Sequence, residues 1–197
     1  MEGNDQSSGT PVNLNGLESQ AGITGTLAGV SGTPLADRPY SGYSYNMSSL
    51  FRALKPPFTK EIEQVAPGIT ILSDGTYVGN GLRLGQIPAS GDVSQSTFVN
   101  GPMNISDSSG QGILVINGDL TVTGSFTYFG LIIVKGKVHF AGGGLEGIQI
   151  HGAVIASSDT GAAESLLEGI VQIHNNSSII QTQFDRLQYV RLAFREI

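Results

Sequence analysis

The chain has 197 residues, of which 28 are glycine and only 13% are charged; ten Lys and Arg against sixteen Asp and Glu give a net charge of −6. Glycine stands at about twice, and charge at about half, the usual frequency, which excludes a helical bundle or coiled coil, and the lack of a strict Gly-X-Y period excludes collagen. A net acidic surface repels phosphate and disfavours a basic nucleic-acid module, and a chain without cysteine builds neither a disulfide framework nor a thiolate zinc site.

The length suits one domain with a core of its own. No stretch approaches the roughly 20 apolar residues that cross a bilayer. The opening MEGNDQSSGTP is polar and lacks the apolar region of a secretory signal. The expectation is a flexible leader over 1–10, with any export or anchoring segment removed or carried on another chain, so that this chain as given makes no membrane contact.

Residues 11–46 are rich in Gly, Ser, Thr, Pro and Asn, with short runs such as Ile23-Thr-Gly-Thr-Leu27, and read as brief strands joined by turns. The segment 38–46 holds Tyr40, Tyr43 and Tyr45 among turn formers. It is either a surface loop with an aromatic patch or a set of rings packed on the core edge. A helix is predicted near 47–65, capped by Asn46 or Ser48, with Leu50, Phe51 and Leu54 as its apolar face. Pro56-Pro57 must break it, leaving a second helical turn over 59–65 capped by Thr59.

From Gly68 onward the chain turns to short Val- and Ile-rich runs bounded by glycine, the mark of strands. Two of them repeat. I113-L-V-I-N-G-D-L-T-V-T-G124 aligns with L131-I-I-V-K-G-K-V-H-F-A-G142, 18 residues apart, placing Gly118 on Gly136 and Gly124 on Gly142. I148-Q-I-H151 aligns with V171-Q-I-H174 at an offset of 23. Periods near 20 built of strands and glycine corners signal stacked repeats. The expected fold is therefore mainly β, a short right-handed parallel β-solenoid with one or two flanking α-helices, forming a single domain over 11–197. Stacked coils share an inward apolar column, and Gly118, Gly124, Gly136 and Gly142 make its corners. The four-residue apolar runs are expected to be buried on both faces, between the column and a cover such as the helix near 47–65. Leu120/Val122, Val138/Phe140 and Ile148/Ile150 should bury one face only. A helix from 178 to about 188, followed by a strand over 189–197, reads as a cap for the last open coil.

Candidate chemistry is sparse. The acids Asp74, Asp92, Asp107, Asp119, Glu146, Asp159, Glu164 and Glu168 show no paired pattern, and Glu61 and Glu63 would point to different sides of a helix. General acid–base work needs two groups in reach of one bond, so no catalytic residue, cofactor or metal is assigned. His139, His151 and His174 should face outward. His151 and His174 would stack about 5 Å apart, as a side-chain ladder in preference to a metal pair. Asn104 to Gly110 reads as a loop whose Asp and Ser bond local backbone. Lys135 and Lys137 flank one corner, and with Tyr128 would give at most a weak, salt-sensitive nucleic-acid contact.

Residues 112–136, from Gly-Ile-Leu-Val-Ile-Asn-Gly-Asp-Leu to Gly-Leu-Ile-Ile-Val-Lys-Gly, followed by His151-Gly-Ala-Val-Ile-Ala156 and the closing Leu192-Ala-Phe-Arg-Glu-Ile197, resemble the soluble part of PilX-type minor pilins of bacterial type IV pili. The match covers 105–197 well and 47–104 loosely. Phe194 stands where the family has Trp, and the family's N-terminal hydrophobic helix has no counterpart in this sequence. The resemblance implies a non-enzymatic subunit that primes or decorates a pilus, with adhesion or DNA uptake as its task. It implies other pilin subunits and a surface or glycan ligand as partners, and a place on the cell surface, or in the periplasm before assembly. Loops 38–46 and 86–110, with Tyr40, Tyr43, Tyr45, Lys135 and Lys137, would be the presented surface. A polysaccharide-active β-helix enzyme and a bactofilin-like self-assembling scaffold are the alternatives.

Overall fold

The computed structural model describes residues 18–19, 38–39, 47–55, 59–85, 95–156 and 165–193. The leader at 1–10 and Tyr40, Tyr43 and Tyr45 lie outside them. The protein is mainly β, with a parallel sheet and few helices. Strands β1 (Glu18–Ser19) and β2 (Arg38–Pro39) pair with each other. Helix α1 (Met47–Leu54) follows, then β3 (Lys60–Glu61), the single turn α2 (Ile62–Val65) and the strands β4 (Thr70–Ile71), β5 (Tyr77–Asn80), β6 (Arg83–Leu84) and β7 (Gln95–Val99). Two long strands come next, β8 (Met103–Ile116) and β9 (Leu120–Val134). The chain continues through β10 (Val138–Gly142), β11 (Ile148–Ala156), β12 (Leu166–Gly169), β13 (Val171–His174) and helix α3 (Ser177–Ala193).

Strands β3 to β13 form one sheet. Among them the one antiparallel pairing joins β4 to β5. The register follows the sequence repeats. Leu114 pairs with Ile132 and Ile116 with Val134; Leu120 pairs with Val138 and Gly124 with Gly142; Ile148 pairs with Val171 and His151 with His174. β9 uses its first part against β10 and its second against β11, while β8 meets β5, β6 and β7 in turn along its length. The changes of partner coincide with left-handed backbone at Asp107 (φ 45°), Gly112 (131°) and Gly124 (71°), and Gly130 (139°) lies beside Gly112 in register.

Two apolar clusters hold this arrangement. The first gathers Met103, Ile105, Leu114 and Ile116 from β8, Leu120, Val122, Phe126, Tyr128, Ile132 and Val134 from β9, and Val138, Phe140, Ile148 and Ile150 above them. Side chains from either side of each bend thus converge on one interior. The second lies on the opposite face of the same strands, where Ile113, Val115, Leu131 and Ile133 pack with Phe98 and with Phe51 and Leu54 of α1, and Phe184 of α3 joins them. The four-residue apolar runs are therefore buried on both faces, whereas Thr121, His139 and Gln149, between the inward residues, are half-buried. Each fully buried aliphatic side chain contributes about 1.5–3 kcal/mol by leaving water.

The corners need glycine chiefly because backbones approach closely. Gly112, Gly130 and Gly152 stand in register, and a Cβ on Gly130 would overlap the Gly112 carbonyl. A Cβ on Gly118 would lie 2.6 Å from the Gly101 carbonyl carbon, and one on Gly136 would lie 2.7 Å from that of Gly118. Gly142 faces the Ile170 carbonyl in the same way. Of the four expected corners, Gly124 is the one with positive φ. At Gly110 a Cβ would lie 2.6 Å from the Leu84 carbonyl oxygen and 2.8 Å from the Tyr128 ring.

Several local expectations are corrected. Ser48 lies inside α1 and does not cap it. The Thr59 hydroxyl donates to the Leu54 carbonyl at 2.8 Å, satisfying an orphan acceptor at the end of α1 instead of capping α2. Residues 95–99 and 103–110, expected within a presented loop, are strands; 86–94 lie outside the described residues. The segment 189–193 continues α3 rather than forming a strand. No Gly or Pro interrupts it there, and the Asn176 side chain caps its start by accepting the Ile179 N–H at 3.0 Å. α3 packs against β9 and β11, on the flank of the sheet. On the edge beyond, Leu166, Leu167 and Ile170 stay 49, 42 and 44% exposed.

Gly130→Ala should cost roughly 2–6 kcal/mol, the sum of a left-handed backbone penalty and overpacking. Thr127→Ala, on an outward position, should change stability by less than about 0.5 kcal/mol. Urea unfolding of the two variants checks both.

Candidate interaction surface

The outward positions of a parallel stack align into rows. One row carries Val78, Asn104, Thr121 and His139, and the next carries Asn80, Ser106, Thr123 and Ala141. With Gly68 and Thr70, the residues of these rows other than His139 and Ala141 line an open groove of about 470 Å³, furnished with amides and hydroxyls. At its far side the His139 Nε2 meets the Glu168 carboxylate at 2.8 Å, tying β10 to β12.

The second outward face carries Ser109, Thr127, Gln149 and Gln172 in register, and beside them Gln111, Phe129, His151 and His174. Here the sequence-derived ladder is present: the Phe129 and His151 rings stack at 4.5 Å and 8°, and the His151 and His174 rings at 5.0 Å and 13°. Near-parallel rings turn their faces, not their nitrogen lone pairs, toward each other, which is ladder geometry. The His174 Nε2 lies 3.3 Å from the Gln172 side-chain oxygen. Burial, and secondarily the charge of His174, hold the His151 imidazole below its ordinary pKa. Among the described residues no three His, Asp or Glu side chains come together as a metal site.

The corners use their carboxylates structurally. The Asp119 side chain accepts the Lys137 N–H at 2.7 Å and the Asp107 side chain accepts the Ser125 N–H at 3.0 Å, each reaching 18 residues along the chain. The Asn117 amide donates to the Asn100 side chain at 3.0 Å. The segment 104–110, expected as a loop, is part of β8 with a bulge between Ser106 and Ser108. The Ser108 hydroxyl donates to the Ser106 carbonyl at 2.7 Å and accepts the Leu82 N–H at 3.0 Å. Asp74 accepts the Thr76 N–H, which lowers its pKa.

Lys135 and Lys137 do flank a corner. Lys135 lines a cleft of about 200 Å³ with Asn117, with Ser48, Phe51 and Arg52 of α1, and with Lys55 just after it. Tyr128, their expected companion, is fully buried and cannot touch an outside ligand; burial pushes its phenol pKa up. One grouping was missed. Glu61 stands in β3, not in a helix, so Glu61 and Glu63 come within electrostatic reach. Burial first, then the Glu63 charge, raises the Glu61 pKa, and Tyr77, bonded to Glu63, is raised by burial and by both acids. The period-2 spacing was the available signal. These acids line neither cleft.

No protein-family model, curated protein or solved structure matches the chain. No helix among the described residues is long and apolar enough to cross a membrane.

The folded state binds a proton at His151 less readily than the unfolded chain. Stability from this residue is therefore full above the unfolded pKa near 6.5 and falls as pH drops through it toward the lower folded value. Melting temperature should decline less between pH 7.5 and 5.5 in His151→Gln than in the unaltered chain. Equal declines would contradict the stack as its cause.

Proposed function

We propose that the chain is the soluble part of a minor pilin-like subunit of the PilX type, folded as a short right-handed parallel β-solenoid with flanking helices. The right hand is the one parallel crossover connections adopt. The observation that carries this reading is that the stretch resembling the family, 112–136, forms the end of β8 and the whole of β9 at the centre of the stack, where Ile113 to Ile116 pair with Leu131 to Val134. Inward residues from both sides of every bend share one cluster, as coils of a solenoid would.

The reading is non-enzymatic. Asp107 and Asp119 are engaged by backbone of the next layer, Glu168 by His139, and no described carboxylate lines either cleft. The subunit would work by presentation: a rigid stack holds its polar rows at the surface of a filament, on the outside of the cell or in the periplasm before assembly, against other pilin subunits and a surface or glycan ligand. Amide and hydroxyl rows of the groove are suited to the hydroxyls of a glycan.

Filaments sheared from the source cells and probed with an antibody to this chain test the proposal. The chain should co-purify with the filaments and label them under immunogold microscopy. Its absence from them, with the chain abundant in the remaining cell fraction, would overturn the proposal.

A further inference from the structure

Two rows of short side chains cross the strands of the first outward face. In the layers of β5, β8 and β9 they are Val78 with Asn80, Asn104 with Ser106, and Thr121 with Thr123, each pair two residues apart and in register from strand to strand. Thr70 of β4 pairs with Val78 and extends the first row by one layer. All of them line the groove of about 470 Å³, a volume within the usual range for ligand sites. Side chains this short have little reach, so the backbone register places their polar atoms. Neighbouring layers lie about 4.8 Å apart, and the two rows about 6.6 Å apart.

These polar groups differ from those at the corners. The side chains of Ser108, Asn117, Asp107 and Asp119 are bonded across layers of the fold. Those of Asn80, Asn104, Thr121 and Thr123 make no hydrogen bond among the described residues and are open to a ligand in the groove.

The lining selects the ligand. No charged residue lines the groove, and the chain carries a net charge of −6. A glycan bearing uronate or sulfate would meet repulsion with no cation to offset it. An uncharged sugar chain brings hydroxyls that donate and accept, as the amides and hydroxyls of the rows do. The Val78 side chain and the threonine methyl groups suit the C–H faces of its rings. An extended β-1,4-linked hexose chain advances by close to one layer spacing per sugar, so the four layers β4, β5, β8 and β9 match four sugars. An α-1,4-linked chain curls and loses that match.

We propose that this groove is a binding site for an extended, uncharged β-1,4-linked glycan lying across the strands, one sugar to a layer. The choice of a glycan rests on the presentation reading; the charge and linkage of that glycan follow from the groove. The experiment uses the isolated chain, so its failure is distinct from absence of the chain from filaments.

Nuclear magnetic resonance titration of the intact chain tests the proposal, with cellotetraose and maltotetraose as probes of equal composition and different linkage. Cellotetraose should move the amide signals of Asn80, Asn104, Ser106, Thr121 and Thr123 saturably, with a Kd of about 1 mM, at high salt as at low. Maltotetraose should bind at least about fivefold more weakly. Asn104→Ala combined with Thr121→Ala should weaken cellotetraose binding at least about fivefold, as the loss of two hydrogen bonds does. Thr127→Ala, on the second outward face, should leave it unchanged. Equal binding of the two tetrasaccharides, shifts that map outside the groove, or no saturable shift overturns the proposal, as does unchanged binding in the folded double variant. The map on the unaltered chain decides the matter even where that variant fails to fold.

Discussion

Backbone lies directly on backbone at the bends of this protein, and everything else depends on that contact. Gly112, Gly130 and Gly152 superimpose with no room for a side chain. Close approach keeps neighbouring parallel strands at their hydrogen-bonding distance through the turn, so that a single strand can change partner without breaking the ladder. It also fixes the register, because a slip of one residue would drive a side chain into a carbonyl and turn every apolar residue outward. Asp107 and Asp119 reinforce it with side chains that reach the backbone of the next layer.

Register then decides which faces are buried. In β8 and β9 the runs that follow Gly112 and Gly130 have no outward face left for water: Leu114 and Ile132 go to one cluster, Ile113 and Leu131 to the other. The helices exist because of this second apolar surface. α1 covers it with Phe51 and Leu54, and α3 adds Phe184. The remaining outward positions are free to carry the polar rows and the Phe129–His151–His174 stack. The basic cleft is a by-product of the same packing, since docking α1 brings Arg52 and Lys55 to the corner that bears Lys135.

The stacking was legible in the sequence because repeat, register and chemistry coincide there. Aligning Ile113 with Leu131 and Val171 with Ile148 gives pairs the structure contains, and the ring stack followed from that alignment. The Gly112/Gly130/Gly152 column stood one residue before the aligned apolar runs and was passed over, because each repeat was read as starting on its hydrophobic residues. Tyr128 was misplaced as a surface contact: a phenol reads as amphipathic, and nothing local reveals that Gly110 clears a buried space for its ring. Glu61 and Glu63 were separated by the helix reading of 59–65, where two residues of β3 pair with β7, a long-range partner that local propensity cannot anticipate. Over 189–193 the expected C-terminal strand failed for the opposite reason, since short alternation there yields to a helix already begun after Asn176; 194–197 lie outside the described residues.

The central claim is the layer register, and the chain's lack of cysteine allows it to be read covalently. Neighbouring parallel strands lie about 4.8 Å apart, within the span of a disulfide. Thr127 pairs with Gln149 across a 22-residue offset, whereas an unbroken 18-residue period would pair it with Leu145, which is fully exposed. Oxidation of two double-cysteine variants, Thr127→Cys with Gln149→Cys and Thr127→Cys with Leu145→Cys, should close a disulfide in the first and leave the second reduced. Closure of the second, or of neither, would contradict the account.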